Sequence, residues 1–138
     1  MISIENKYPE YRSNSTLVFS CRYHVIFCPK YRRNVLTNKI SIRLKEIFSE
    51  ISEEISCPIL EMEILTDHVH LLIDCDPSFG ITKAIRTLKG KSANIIRNEF
   101  PELKKRLPCL WTRTSFIATV GSVSLETVKK YIQNQKGK

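Results

Sequence analysis

The short connection between two predicted strands constrains the fold of this chain more than any other feature of the sequence. Residues 60–64 alternate apolar side chains with glutamates, and residues 68–74 alternate apolar side chains with histidines in the way of a half-buried β-strand. Only three residues separate the two segments, whereas parallel strands need a crossover of about a dozen residues. The two strands are therefore predicted to form an antiparallel hairpin that turns near Thr66 and Asp67.

The periodicities on either side of this hairpin predict an α+β domain of the ferredoxin-like type, with a four-stranded antiparallel sheet and two helices on one face. We expect a single domain over residues 1–138, with Arg22, His24, His68 and His70 on the open face of the sheet. The predicted elements are an irregular arm over 1–14, a strand over 17–27, a helix capped by Thr37 that ends before Pro58, the hairpin, a helix from Pro77 and Ser78 to about Asn98, a strand over 113–120, and a C-terminal helix within 122–136 that Ser124 caps.

Length and composition restrict the class of protein further. With 138 residues, 42% hydrophobic and 26% charged, the chain suits one domain with its own core and is not of disordered composition. No apolar run approaches the ~20 residues that cross a bilayer, and the first residues lack a signal-peptide core, so we expect a cytoplasmic protein without membrane contact. Five cysteines without a CxxC pair favour reduced core thiols over a zinc ribbon or a disulfide framework.

Charge is separated into blocks along the chain, although the net charge is only +8. Residues 1–45 carry 9 basic and 2 acidic groups, residues 46–76 carry 9 acidic and no basic groups, and residues 81–138 carry 13 basic and 3 acidic groups. Such blocks predict one strongly positive surface, for which nucleic acid is the natural partner. The alternative is a surface that only keeps the protein soluble.

His68 and His70 are the first candidates for a chemical site. Because they lie two positions apart on a predicted strand, their imidazoles project from the same side, roughly 6.6–6.8 Å apart along the backbone. Rings at this separation can share a divalent cation if a third ligand comes from elsewhere. By the spacing alone, two ordinary surface histidines on a strand are the more common case.

The predicted C-terminal helix supplies a second candidate pair. Tyr131 and Gln135 are four residues apart and are therefore neighbours on one helix face. A tyrosine hydroxyl can act as a nucleophile when a metal or a base activates its electrophile, and the amide oxygen of Gln135 could bind that metal. By spacing alone, an aromatic side chain here more often packs against its neighbours.

Five segments, in order along the chain, resemble one known family. They are CPKYRR at 28–33, TDHVHLLID at 66–74, LKGKSA at 88–93, LWTR with FIATVG between 110 and 121, and YIQNQ at 131–135. Together they resemble the single-tyrosine HUH transposases of the IS two-hundred and IS six-hundred-and-five type insertion sequences, over about residues 15–136.

The resemblance implies a role for each matching residue. His68 and His70 match the metal-binding histidines of the HUH motif, with Gln135 as third ligand. Tyr131 matches the nucleophile that attacks a DNA phosphodiester, forms a 5′-phosphotyrosine link and frees a 3′-OH, so that strands are cut and rejoined without ATP. Asp67 matches an acidic position next to the histidines, and its side chain is expected to point away from them and to support the site. The implied cofactor is one divalent ion per site, Mg²⁺ or Mn²⁺, of which Mn²⁺ better suits imidazole and amide ligands.

The resemblance also implies the partners. Members of the family are homodimers that act on single-stranded DNA and recognise hairpins near the ends of the element, and their tyrosine helix can complete the active site of the other subunit. Two alternatives stay open: a non-catalytic relative that binds hairpins or single strands, and an enzyme that nicks repeat hairpins.

Trp111 could stack on a base, although a lone Trp more often anchors a core. The basic candidates for phosphate contacts are Lys30, Arg32, Arg33, Arg86, Lys89, Lys91 and Arg113.

Overall fold

The computed structural model describes residues 10–121, and this part of the chain forms six strands and three helices. The strands are β1 (Arg12–Ser13), β2 (Val18–Phe19), β3 (Arg22–Phe27), β4 (Ile59–Ile64), β5 (Val69–Asp74) and β6 (Phe116–Thr119). The helices are α1 (Asn38–Glu54), α2 (Ile81–Glu99) and α3 (Glu102–Arg106), and a 3-10 turn spans Lys30–Arg32. Most of the predicted N-terminal arm and the whole predicted C-terminal helix lie outside the described residues.

Four of the strands form one antiparallel sheet in the order β4-β5-β3-β6. The predicted hairpin is β4 and β5, and its turn closes where the Leu65 amide donates to the His68 carbonyl at 2.9 Å. The predicted α+β fold with a four-stranded antiparallel sheet is therefore confirmed.

Both long helices bury an apolar stripe against one face of this sheet. Helix α1 begins directly after Thr37, as predicted, although the Thr37 side chain makes no capping hydrogen bond. The inward positions recur every three or four residues, which is the period that one helix face requires. The buried residues are Ile40, Leu44, Ile47, Phe48, Ile51 and Ser52 of α1, and Ala84, Leu88, Ser92 and Ile96 of α2.

Helix α2 begins at Ile81, later than the predicted opening at Pro77 and Ser78. The carboxylate of Asp76 accepts a hydrogen bond from the Ser78 amide at 2.8 Å, and the Asp76 carbonyl accepts one from the Gly80 amide at 3.0 Å. These bonds hold a turn that ends at Gly80 with φ +93°, a conformation that glycine adopts far more readily than other residues. The turn therefore occupies the positions that the sequence pattern gave to the first helical turn.

The predicted strand over 17–27 is wrong in length, because the chain changes partner within it. Only Arg22–Phe27 joins the main sheet, while Val18–Phe19 pairs with Arg12–Ser13 in a separate hairpin. The Asn14 side chain closes that hairpin by accepting hydrogen bonds from the amides of Thr16 and Leu17 at 2.9 and 2.8 Å. An alternating pattern continues through such a change of partner, so the sequence alone did not reveal it.

The C-terminal part of the described chain differs from the prediction in two places. Residues 102–106 form the short helix α3, where a loop was predicted, and β6 covers Phe116–Thr119 instead of 113–120. Before the strand begins, the carbonyls of Thr112 and Thr114 accept hydrogen bonds from Lys89 Nζ on α2, at 2.7 and 3.2 Å.

Trp111 anchors the core of the domain and does not offer its ring to solvent. The residue is 6% exposed, its ring packs edge-on against Phe27 with 4.8 Å between centroids, and its indole N–H donates to the Ser92 hydroxyl at 3.0 Å. The prediction of a core role for the lone Trp is confirmed.

The prediction that the cysteines are reduced core residues holds only in part, because not all of them lie in the core. All five are free, and Cys57 and Cys75 are buried, but Cys21 and Cys28 are half-buried and Cys109 is exposed. Within residues 10–121, no helix is long and apolar enough to cross a membrane.

Candidate active site

Strand β5 presents one histidine on the open face of the sheet, although the other five of its six residues are buried. Val69, Leu71 and Ile73 are fully buried under the helices. His70 lies between them in sequence and therefore projects from the opposite face, where it is half-buried. The predicted placement of this histidine on the open face is confirmed.

His68 lies in the turn immediately before β5, and Asp67 fixes its ring. Nδ1 of His68 is 2.8 Å from Oδ1 of Asp67. A carboxylate accepts only, so Nδ1 carries the proton and the lone pair of Nε2 is free to bind a metal. The hydrogen bond from His68 is the main cause that lowers the pKa of Asp67, and the nearby guanidinium of Arg32 lowers it further.

The expectation that Asp67 points away from both histidines is wrong for His68. Strand alternation would put neighbouring side chains on opposite faces, but the strand begins only at Val69. In the turn, the Asp67 carboxylate can reach the ring of the next residue. A carboxylate bonded to a histidine in this way orients a metal ligand instead of binding the metal itself.

His70 contacts a third histidine that the sequence placed on the same face. Nε2 of His70 is 3.0 Å from Nδ1 of His24 on the neighbouring strand β3, and the ring centroids are 5.1 Å apart. One of these two nitrogens donates and the other accepts. The structure thus gives His24 a direct contact with the site, a contact that the period-2 pattern of β3 alone could not establish.

The two histidines fit a metal site that needs a further ligand. Within residues 10–121, no group of three or more His, Cys, Asp or Glu side chains is arranged to hold a metal ion. Neutral imidazoles are good ligands for a divalent transition metal, and the Asp67 contact leaves one nitrogen of His68 available. Tyr131 and Gln135, the predicted nucleophile and third ligand, lie outside the described residues.

A basic loop lies directly beside the histidines. Arg32 donates from Nε to the Asp67 carboxylate at 3.1 Å while its own side chain is 69% exposed. Tyr31 and Arg32 both have positive φ, 61° and 50°, a left-handed conformation that is uncommon for residues other than glycine. Lys30 lies over the ring of Tyr31, 5.4 Å from its centroid, and Arg33 is exposed. The loop therefore presents several cations at the edge of the histidine site.

A second basic region surrounds a cavity of about 620 Å³ between α2 and residues 109–117. Its apolar floor includes Leu110 and Trp111, and its basic lining consists of Arg86, Lys89, Arg97 and Arg113. Arg97 was not among the predicted candidates. Its spacing of eleven residues from Arg86 puts both on one face of α2, and this is the signal that could have found it.

Two of the predicted phosphate-binding lysines have partners within the protein. Nζ of Lys89 donates to the carbonyls of Thr112 and Thr114 and to the hydroxyl of Ser115 at 3.0 Å, and burial lowers its pKa. Lys91 lies outside the cavity lining and pairs with Glu54 at 3.0 Å. The geometry thus favours Arg86 and Arg113 over both lysines as phosphate contacts.

Comparison with known proteins places this geometry in one family. The family described as "Transposase IS200 like" matches residues 17–135. The chain is 34% identical to the ISDra2 transposase TnpA of Deinococcus radiodurans over 94% of both chains, and 31% identical to the transposase for insertion sequence element IS200 of Salmonella typhimurium over 85% of this chain and 78% of that one.

Two solved structures share the fold. A candidate transposase from Deinococcus radiodurans superposes with a TM-score of 0.74 at 30% identity, over 90% of this chain and 97% of the other. A REP-associated tyrosine transposase, solved bound to a REP hairpin, superposes with a TM-score of 0.57 at 12% identity, over 89% and 67%. Sequence and fold therefore agree that the chain belongs to the IS200-like transposases.

Proposed function

We propose that this transposase is a metal-dependent enzyme that cleaves and rejoins single-stranded DNA at the ends of an insertion sequence, through a covalent link to Tyr131. The observation that carries the proposal is the oriented histidine pair. His70 lies on the open face of the sheet and His68 in the turn just before the same strand, and a neighbouring side chain contacts each ring. Structural histidines on a surface do not need such support, whereas metal ligands regularly have it.

The chemistry assigns a distinct task to each residue. His68, His70 and Gln135 would hold one divalent ion, which when bound would draw charge from a phosphate oxygen and stabilise the charge that develops during the reaction. The hydroxyl oxygen of Tyr131 attacks the phosphorus, the bond from phosphorus to the 3′-oxygen breaks, and that oxygen leaves as a 3′-OH. One phosphate ester replaces another, so the reverse attack rejoins DNA without ATP.

The basic surface supports DNA as the substrate. Arg32 lies beside the histidines, where it pairs with Asp67, and Arg33 is exposed next to it in the same loop. Arg86, Arg97 and Arg113 line the cavity beside α2. Contacts from such groups to phosphates position a strand without reading its sequence. We propose hairpins as the recognised structures, in line with the family and with the hairpin-bound relative described above.

We further propose that the protein acts as a homodimer whose tyrosine helix can complete the active site of the other subunit. The edge of the sheet supports this proposal. Strand β6 has no neighbour on its outer side within residues 10–121, and it exposes 60% of Phe116 and 43% of Ile117. Open edges with apolar side chains are surfaces that proteins usually cover.

The test uses end-labelled single strands copied from the DNA that flanks the coding region. With Mn²⁺ or Mg²⁺ we expect a protein–DNA adduct that survives SDS, and no adduct with EDTA or in Tyr131→Phe. Tyr11→Phe is the matched control, because it removes a tyrosine hydroxyl far from residue 131 in sequence and should leave the adduct unchanged.

Other outcomes would favour the alternative functions. Tight hairpin binding without an adduct under any metal would indicate a non-catalytic binding protein and would contradict the proposal. An adduct formed on genomic repeat hairpins, but not on the flanking strands, would indicate an enzyme that nicks repeats.

A further inference from the structure

Two buried thiols lie in contact at the end of the β4–β5 hairpin. The Sγ atoms of Cys57 and Cys75 are 3.4 Å apart, and each residue is 1% exposed. Both cysteines are free, and the proposed transposition chemistry uses neither of them. A pair of thiols that excludes water and touches only protein atoms is either a packing unit or a site of oxidation.

The backbone places the pair where a disulfide fits. The amide of Asp74 donates to the carbonyl of Pro58 at 2.9 Å, which extends the ladder of β4 and β5 by one step and sets Cys57 opposite Cys75. The amides of both cysteines bond elsewhere, so the two form a non-hydrogen-bonded pair, whose Cα atoms lie about 4.5 Å apart in an antiparallel ladder. Disulfides span Cα separations of about 4.4–6.8 Å, so the bond requires only side-chain adjustment.

We propose that Cys57 and Cys75 are a redox site that forms a reversible disulfide when hydrogen peroxide oxidises the protein. The Cys57 thiolate attacks one peroxide oxygen, becomes a sulfenic acid and releases hydroxide. The sulfur of Cys75 then attacks the sulfenic sulfur and displaces the oxygen bound there, which leaves as water with the proton of Cys75. The proton that Cys57 lost on forming the thiolate converts the hydroxide to water. Two thiols and one peroxide molecule thus give one disulfide and two water molecules.

The surroundings favour Cys57 as the attacking sulfur. A hydrogen bond from Cys75 lowers the pKa of Cys57 and outweighs burial, which raises it, while the same contact adds to burial and raises the pKa of Cys75. A lowered pKa increases the thiolate fraction, which is the reactive form. The pair therefore has one sulfur suited to attack and one suited to resolve the intermediate.

Burial makes the site selective for small oxidants. A bulky maleimide or glutathione disulfide cannot reach sulfurs with 1% exposure, whereas peroxide is little larger than water. Cys109 is exposed and provides an internal comparison, because a bulky reagent should label it in the folded protein and leave the pair untouched.

The disulfide would join β4 to β5 at the end of the hairpin opposite the turn that carries His68. The two cysteines are 18 positions apart, and a cross-link over a loop of this length restricts the unfolded chain. We expect oxidation to raise the melting temperature of the wild type by about 5–10 °C and dithiothreitol to reverse the shift.

The test treats the full chain with peroxide, labels the remaining thiols with N-ethylmaleimide under denaturing conditions, and maps the peptides by mass spectrometry. We expect a Cys57–Cys75 cross-linked peptide in the wild type, loss of the label from both of these cysteines, and its return to both after reduction. Cys57→Ala and Cys75→Ala should lose the cross-link and the melting shift, while Cys109→Ser should keep both.

Several results would overturn the proposal. One is that folded wild-type protein contains no Cys57–Cys75 cross-linked peptide although its Cys109 is completely oxidised. Another is a cross-link that forms only after the protein has been unfolded. An unchanged melting temperature in a fully cross-linked sample would contradict the predicted effect. The peptide map is read on the wild type, so the test does not depend on whether the alanine variants fold.

Discussion

Single residues determine how the histidine pair is presented. Asp67 fixes Nδ1 of His68, and His24 contacts Nε2 of His70. Asp67 leaves Nε2 of His68 for a ligand, and His24 leaves Nδ1 of His70 for one when Nε2 of His70 donates the shared hydrogen, which is how proteins orient imidazoles toward a metal. The chemistry proposed for this site therefore depends on side chains that would not themselves bind the metal.

The contact between Asp67 and His68 leads to a direct prediction. Asp67→Ala removes the acceptor that holds the His68 ring, and we expect Mn²⁺ affinity to fall by about 10- to 100-fold, measured by isothermal titration. Arg32→Ala is the control, because it removes the cation on the outer side of the same carboxylate and leaves the histidine bond in place. Equal affinity in wild type and Asp67→Ala would contradict the orienting role.

Lys89 makes the stability depend on pH in an identifiable window. Burial lowers its pKa in the folded protein, while in the unfolded chain it titrates near its ordinary value of about 10.4. As pH rises between these two values, the unfolded chain binds more protons than the folded protein, so this residue makes the free energy of unfolding increase.

Urea denaturation on both sides of roughly pH 10 measures this effect. Lys89→Arg keeps a cation that does not titrate in this range, so the variant should lack the contribution. If the free energy of unfolding changes with pH by the same amount in wild type and Lys89→Arg, the effect does not come from Lys89.

At the scale of elements, a buried ion pair attaches the N-terminal hairpin to the main sheet. Asp74 at the end of β5 is 0% exposed, and Nη2 of Arg12 on β1 lies 3.2 Å from its carboxylate. Arg22 approaches the same carboxylate at 3.6 Å. The arrangement covers one end of the open face and leaves the histidine end accessible.

Removing this carboxylate should be costly. We expect Asp74→Ala to lower the free energy of unfolding by about 3–5 kcal/mol, because the arginines lose a buried partner, as measured by urea denaturation. The matched control is Glu99→Ala, which breaks the exposed pair with Arg43 at 2.9 Å and should cost at most about 1 kcal/mol. If the two variants lose similar amounts of unfolding free energy, burial does not make the Asp74 pair more important for stability than the exposed pair.

At the scale of the whole molecule, the charge blocks of the sequence are partly neutralised by contacts between them. Lys91 pairs with Glu54, Arg32 with Asp67 and Arg43 with Glu46 and Glu99. The cations around the cavity beside α2, Arg86 and Arg113 among them, line an open basic surface instead. Position on the surface, more than net charge, therefore distinguishes the candidates for DNA contacts.

Salt dependence of binding to single-stranded DNA tests this distinction. Arg86→Ala and Arg113→Ala should each weaken binding and reduce the slope of log K against log salt by about 0.7 to 1, as expected for one lost phosphate contact. Lys91→Ala should leave the slope nearly unchanged, because that lysine already has a partner. All binding constants are measured by fluorescence anisotropy. If the slope falls as much in Lys91→Ala as in the two arginine variants, the assignment of the phosphate contacts to Arg86 and Arg113 is contradicted.

Local periodicity was sufficient to predict most of the fold. The three-residue connection required an antiparallel hairpin, and the apolar spacing in α1 and α2 predicted both helices and their inward faces. Where the prediction failed, a specific side-chain bond is present: Asn14 closes the hairpin that takes up the start of the predicted first strand, and Asp76 holds the turn that precedes α2. Such bonds depend on partners in space, which the pattern of apolar residues does not encode.

The same division holds for the candidate site. Order and period along the chain were enough to predict the family, the spacing of His68 and His70, and the face of the sheet on which His70 lies. Folding added three contacts that this pattern does not contain: Asp67 turns toward His68, His24 reaches His70 and Cys57 meets Cys75. These contacts join residues across a turn or between neighbouring strands, and their geometry is set by register and packing after the chain has folded.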